Sequence, residues 1–171
     1  VSAVDDPYAE GSETHRIHHA VEGEDWAYTE ADAFWVDARP CDGSMVVTVF
    51  DDDVARVELS KSSGIVAEGV SVDAYEVALT SMPVFHSGYA EEMGPSVTVS
   101  VVGNSQLLAE PSSLTFSGSN WNVPQTVTLT AVDDLVDEHT ELHTVWHAAR
   151  SDDVAFDGAG VVFSSGSNLT A

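Results

Sequence analysis

Apolar residues recur at every second position through most of the chain. Val97-Thr-Val-Ser-Val101 and Val127-Thr-Leu-Thr-Ala131 are the plainest cases, β-branched and bounded by Gly, Pro and Asn. That is the pattern of a strand with one face buried. The same alternation runs through Met45–Phe50, Val54–Leu59, Ser71–Leu79, Ser113–Phe116 and Leu142–Ala148, and a closing strand is expected near Val161–Phe163. Pro83, Pro95, Pro111 and Pro124 fall in the gaps, where a residue with no N–H interrupts pairing. The stretch between Pro83 and Pro95 reads as a long hairpin loop. No segment keeps a 3.6-residue apolar period over about ten residues. Some seven short strands in about 110 residues, separated by turn signals, predict an all-β chain built as an antiparallel β-sandwich.

Comparing the chain with itself divides it. Residues 3–28 align without a gap on residues 131–156, at an offset of 128. Ala3, Val4, Asp5, Asp6, Glu10, Glu13, His15, His19, Ala20, Asp25 and Ala27 recur as Ala131, Val132, Asp133, Asp134, Glu138, Glu141, His143, His147, Ala148, Asp153 and Ala155. Trp26 and Tyr28 face Val154 and Phe156, which preserves the apolar alternation. A match of this density is a tandem repeat with a period of about 110–130 residues. Residues 1–53 then form the C-terminal half of one copy, ending on Asp51-Asp52-Asp53. Residues 54–163 form a nearly complete second copy, and 164–171 are a Ser/Gly-rich linker or tail. The other half of the first copy is expected upstream in a longer polypeptide or in a neighbouring molecule. Val1 with no basic leader after it fits a mature segment or a slice of something longer.

Charge narrows the partners. Five Lys+Arg against 29 Asp+Glu give a net charge of −24, with a pI near 4.1. Phosphate recognition needs clustered cations, and Lys61 is the one lysine, so neither nucleic acid nor an anionic membrane surface is an expected partner. No apolar run approaches the roughly 18 residues that span a bilayer, so no membrane insertion is expected. A hydrophobic content of 43% is too high for a disordered acidic tail and supports a packed core. Like charges at this density call for cations. Cys41 is alone and makes neither an internal disulfide nor a thiolate metal site.

The carboxylates are grouped. Asp133-Asp134 end a strand, with Glu138 and Glu141 after them; Asp5-Asp6, Glu10 and Glu13 repeat the spacing. Glu68 precedes a turn at Gly69, and Asp51-Asp52-Asp53 end another strand. Calcium suits such groups, because it takes 6–8 hard oxygen ligands in flexible geometry. A solvated acidic loop is the better account of one Asp-Asp pair alone, and repetition of the whole spacing reverses that in favour of calcium. A glycosidase carboxylate pair is a poorer account, because no aromatic-lined cleft is implied.

These residues resemble a known family. LTFSGSNWNVPQTVTLTAVDD (114–134), with IVAEG (65–69) before it and VVTVFDDD (46–53) closing the previous copy, is similar to the Calx-β domain. That is a calcium-binding, immunoglobulin-like sandwich of sodium–calcium exchangers and of tandem arrays in large extracellular proteins. The resemblance covers 54–156 and the half-copy 1–53. It implies calcium ligands at Glu68; at Asp133, Asp134, Glu138 and Glu141; and, for the first copy, at Asp5, Asp6, Glu10, Glu13 and Asp51, Asp52 and Asp53. The second copy departs from the pattern, ending VVFSSGSNLTA (161–171) with no acidic triplet. The first copy inserts TEADAFWVDARPCDGS (29–44), a surface elaboration in which Phe34 and Trp35 are candidate anchors for a neighbour.

The histidines point away from zinc. His15 and His19, like His143 and His147, are four apart, which along a strand is about 13 Å, too far for one ion. A zinc site would need His18 or His139 brought in from a neighbouring strand; otherwise the spaced pairs read as polar residues of an outer face. Trp121 reads as a plug over the core, and Asn168 heads a glycosylation sequon. There is no GxSxG elbow or phosphate loop, so no enzyme is expected. The expected function is a structural or adhesive segment of an extracellular or cell-surface protein, rigidified by calcium within a fibre or stalk. Its partners are neighbouring repeats of the same or an identical chain, and other extracellular proteins or glycans. Two alternatives are a calcium-sensing regulatory module and a glycan- or protein-binding sandwich that uses Phe34, Trp35 and the Pro83–Pro95 loop.

Overall fold

The computed structural model describes residues 2–19, 34–36, 39–41, 44–84, 94–136 and 139–164, the two three-residue pieces by backbone alone. The chain forms two compact units, one of residues 1–4 and 11–52 and one of residues 5–10 and 53–171. Every described element is a strand, and the protein is all-β.

In the first unit, β1 (Glu13–His18), β2 (Phe34–Val36), β3 (Arg39–Cys41) and β4 (Ser44–Val49) form two separate pairs. β1 lies antiparallel to β4, from Glu13 opposite Val49 to His18 opposite Ser44. β2 lies antiparallel to β3, with Trp35 opposite Pro40. The pair inside the 29–44 insert was not expected from its sequence.

The second unit holds β5 (Val57–Leu59), β6 (Val72–Leu79), β7 (Val97–Val102), β8 (Leu107–Glu110), β9 (Ser113–Phe116), β10 (Gln125–Ala131), β11 (Trp146–Ser151) and β12 (Val161–Phe163). They form a five-stranded sheet in the order β12-β5-β6-β10-β8 and a three-stranded sheet in the order β11-β7-β9. β12 runs parallel to β5, and the other pairings are antiparallel. The two sheets share one core, an arrangement consistent with a β-sandwich. β7 contributes Val97, Val99 and Val101, β10 contributes Val127 and Leu129, and β6 contributes Tyr75, Val77 and Leu79. The period-two pleat turns these to one face, and each full burial of a Val or Leu stabilises by about 1.5–3 kcal/mol. Phe116 and Phe156 are 0% exposed and fill the centre.

The turns are built by side chains. Asn120 Oδ1 accepts from the Ser117 N–H at 2.6 Å and its Nδ2 donates to the Thr115 carbonyl at 3.2 Å, which closes the loop before β10. Trp121 in that loop packs on the core, as its position in the sequence suggested. Gly103 is forced by close approach, since a Cβ there would lie 2.0 Å from the Leu107 carbonyl oxygen.

Register sorts the loops into two ends. Val72 is opposite Thr130, Ala131 opposite Leu107, and Val102 opposite Trp146, so the segments 64–71, 103–106, 132–136 and 139–145 gather at one end. The 79–84, 117–124 and 151–159 segments gather at the other, tied by Leu79 N–H to Trp121 O at 2.9 Å and by Val84 N–H to Asp153 Oδ2 at 2.9 Å.

The strand expected at Leu142–Ala148 is Trp146–Ser151 instead. Leu142 is 98% exposed, so the alternation there extends beyond the paired segment. β8 was not anticipated. The centre of the Pro83–Pro95 loop lies outside the described residues, as do the side chains of Phe34, Trp35 and Cys41.

Candidate metal-binding carboxylates

Strand ends position the acidic residues. β10 delivers Asp133 and Asp134 to the first end of the second unit, and the turn before β6 brings Glu68-Gly69 to meet them. Gly69 has φ 59°, the left-handed region that glycine enters without steric penalty. A Cβ on it would stand 3.3 Å from Asp133 Oδ2, so the Asp133 carboxylate lies against this turn. Glu68 is half-buried, while Asp133 and Asp134 are exposed. The Asp134 carboxylate turns back on its own chain, with Oδ1 accepting from the Val136 N–H at 2.7 Å. Glu141 reaches His143 at 3.4 Å, and His143 Nδ1 meets Asn104 Nδ2 at 3.0 Å. Among the described residues, Glu68, Asp133, Asp134 and Glu141 do not converge as a group of three possible ligands. Glu138 lies outside the described residues.

The acidic residues of 5–13 make the same kinds of contact. Asp6 Oδ1 accepts from the Tyr8 N–H at 3.1 Å, the counterpart of Asp134 and Val136. Glu13 meets His15 at 3.1 Å, the counterpart of Glu141 and His143. Both turns are the Asx kind, in which a carboxylate binds the backbone two residues on. The segment 5–10 belongs to the second unit and sits at its other end: the Met82 N–H donates to the Pro7 carbonyl at 2.7 Å, and Tyr8 and Met82 form a parallel bridge. There Asp5 and Asp53 bring carboxylate oxygens within 4.8 Å of each other, Asp5 exposed and Asp53 half-buried. Two oxygens bound to one calcium at about 2.3–2.6 Å each are at most roughly 5 Å apart, so this pair fits a shared ion. Glu10 is exposed at the end of the same segment. In the first unit, Asp51 Oδ2 accepts from the Gly11 N–H at 2.8 Å, and Asp52 is exposed.

Two polar residues whose roles the sequence did not reveal lie inside the second unit. Asp153 is 2% exposed; its Oδ2 accepts from the Val84 N–H and its Oδ1 from the Ala155 N–H, both at 2.9 Å. His147 faces inward rather than lying on an outer face, as was expected of it. The Tyr75 hydroxyl and the His147 Nε2 share a hydrogen bond of 2.6 Å, and the rings meet edge-on with centroids 5.5 Å apart. This joins β6 of one sheet to β11 of the other. Burial holds the His147 imidazole below the usual histidine range and pushes the Tyr75 phenol up to about 12, because each charged form loses hydration. The expected order of apolar and polar residues along β11 concealed this pair, since His alternates with Ala there. Among the described residues, no histidine joins a group of three possible metal ligands.

Among the described residues no helix is long and apolar enough to cross a membrane. Asn168 lies outside the described residues. No protein-family model, curated protein or solved structure matches the chain.

Proposed function

We propose that this chain is a structural or adhesive segment of a large extracellular or cell-surface protein, made of tandem Calx-β-like sandwiches that calcium makes rigid within a fibre or stalk. The observation that carries this reading is the approach of Asp5 and Asp53 to within 4.8 Å. Two like charges at that separation repel by about 1 kcal/mol even through water, and a divalent cation between them turns the repulsion into attraction. The pair joins the Asp5–Glu10 segment to the start of the β5 region, so a shared ion would stiffen that end of the unit. The recurrence of the same Asx turn and the same Glu–His contact in both copies supports a repeated structural element rather than a single catalytic site.

Glu68, Asp133 and Asp134 are the second candidate set, at the opposite end. Hard carboxylate oxygens suit calcium over softer metals. The test is isothermal titration of the chelator-treated full chain with calcium chloride. The reading predicts saturable binding that weakens at least about tenfold, about 1.4 kcal/mol, in Asp5→Asn/Asp53→Asn. Absence of binding up to millimolar calcium would overturn it.

A further inference from the structure

The Asp5–Tyr8 segment shows what its repeat counterpart can do. It is seated on the second unit through Pro7 O and the Met82 N–H at 2.7 Å and through the Tyr8–Met82 bridge. Pro7 and Tyr8 are half-buried there. Its shape is set by the Asp6-to-Tyr8 turn at 3.1 Å. The counterpart, Asp133–Val136, has the same turn, from Asp134 to Val136 at 2.7 Å. Yet Leu135, in the place of Pro7, is 105% exposed, and Val136, in the place of Tyr8, is 60% exposed. One copy of the motif is docked and the other presents two bare aliphatic side chains to water.

We infer that the Asp133–Val136 turn is a head-to-tail docking element whose occupant is the Met82 strand end of a second copy of the second unit. The inference rests on the tandem-repeat reading, in which residues 5–8 and 133–136 are the same element in successive copies. Docking of this kind would put the Leu135 carbonyl opposite a Met82 N–H and cover Leu135 and Val136. Turn and acceptor lie at opposite ends of the unit: β10 leads to the turn, while Met82 follows the far end of β6. The contact is therefore heterologous, and with turn and acceptor at opposite ends it propagates head to tail beyond a dimer. In the isolated chain the acceptor is already held by Pro7 and Tyr8, so free copies have no vacant site.

Vacating that site is the test. In Asp6→Ala/Tyr8→Gly the turn is lost and the seated segment loosened, while no residue of the shared core is touched. Sedimentation equilibrium in excess chelator, which separates this test from the calcium reading, should show the wild-type chain at 18.1 kDa. The double variant should rise with concentration through dimer to longer species. Adding Asp134→Ala/Val136→Gly, the matching changes in the donor, should return it to the monomer mass. Tyr8→Gly alone, which keeps Asp6, should give the same order with weaker association. The proposal is overturned if the Asp6 and Tyr8 variants stay monomeric, if they stop at a closed dimer, or if association persists without Asp134 and Val136. Calcium binding by the wild type would be unaffected by any of these results.

Discussion

Truncating the two buried polar side chains of the second unit, Asp153 and Ser81, should move stability in opposite directions. Asp153 accepts two backbone hydrogen bonds at 2.9 Å, from Val84 and Ala155. Bonds to a charged partner contribute about 1.5–3 kcal/mol each. Asp153→Ala removes both and leaves two N–H groups facing a cavity, so it should cost about 3–5 kcal/mol. For a unit of this size about 3–4 °C is lost per kcal/mol, so the midpoint should fall by about 9–20 °C. Asp153→Asn keeps one acceptor but aims an NH2 at the other N–H, and should cost roughly half as much. Ser81 is 0% exposed, and its hydroxyl has no hydrogen-bond partner among the described residues. Ser81→Ala therefore removes a desolvated polar atom and should be neutral or stabilising by up to about 1 kcal/mol. Thermal unfolding followed by far-ultraviolet circular dichroism reads all three variants. A loss below about 1 kcal/mol in Asp153→Ala, or a clear loss in Ser81→Ala, would refute the hydrogen-bond accounting.

Two further predictions use pH. The His147 folded-state pKa is depressed by burial, so the unfolded chain takes up the proton first. Its contribution to stability is complete above the unfolded value of about 6.5 and is lost as pH falls through the folded value. His147→Gln should flatten the stability profile on the acid side of about pH 6.5, and an unchanged slope in urea titrations would count against the inter-sheet pair. Asp73 is held below the usual carboxylate range first by its hydrogen bond from Lys61, then by the Ala74 and Ile65 N–H groups against the opposing effect of burial. Its contribution is present above the unfolded value of about 3.9 and disappears as pH falls through the depressed folded value. Lys61→Met should cost about 1 kcal/mol at neutral pH and progressively less as pH falls below about 3.9, checked by melts across that range.

What the sequence disclosed follows from how local each cause is. Ser113–Phe116 and Val161–Phe163 were legible with their ends, because two-residue alternation and flanking turn residues are local signals. β8 was hidden, since Leu107-Leu108 breaks the alternation and one of the two, Leu108, is 50% exposed. β11 was displaced because Leu142 and Thr144 continue a strand-like pattern before pairing begins at Trp146. The Asp-Asp pairs were legible as repeated spacing, and the turn at Gly69 after Glu68 was legible from its glycine. The nearness of Asp5 to Asp53 was not legible: it depends on Pro7 pairing with Met82, a contact no local pattern encodes. Asp153 was equally opaque, since a carboxylate beside Asp152 reads as solvated until its backbone donors are placed around it.

The most direct test of the calcium account is thermal unfolding of the full chain in excess EGTA and again in millimolar calcium. A ligand that binds only the folded state at a hundredfold excess over Kd adds about 2.7 kcal/mol, a rise of about 8–10 °C here. The account predicts that rise in the wild type, its loss in Asp5→Asn/Asp53→Asn, and a smaller loss in Asp133→Asn/Asp134→Asn. Superimposable melts with and without calcium would contradict it, leaving the acidic groups as solvated loops on an all-β scaffold.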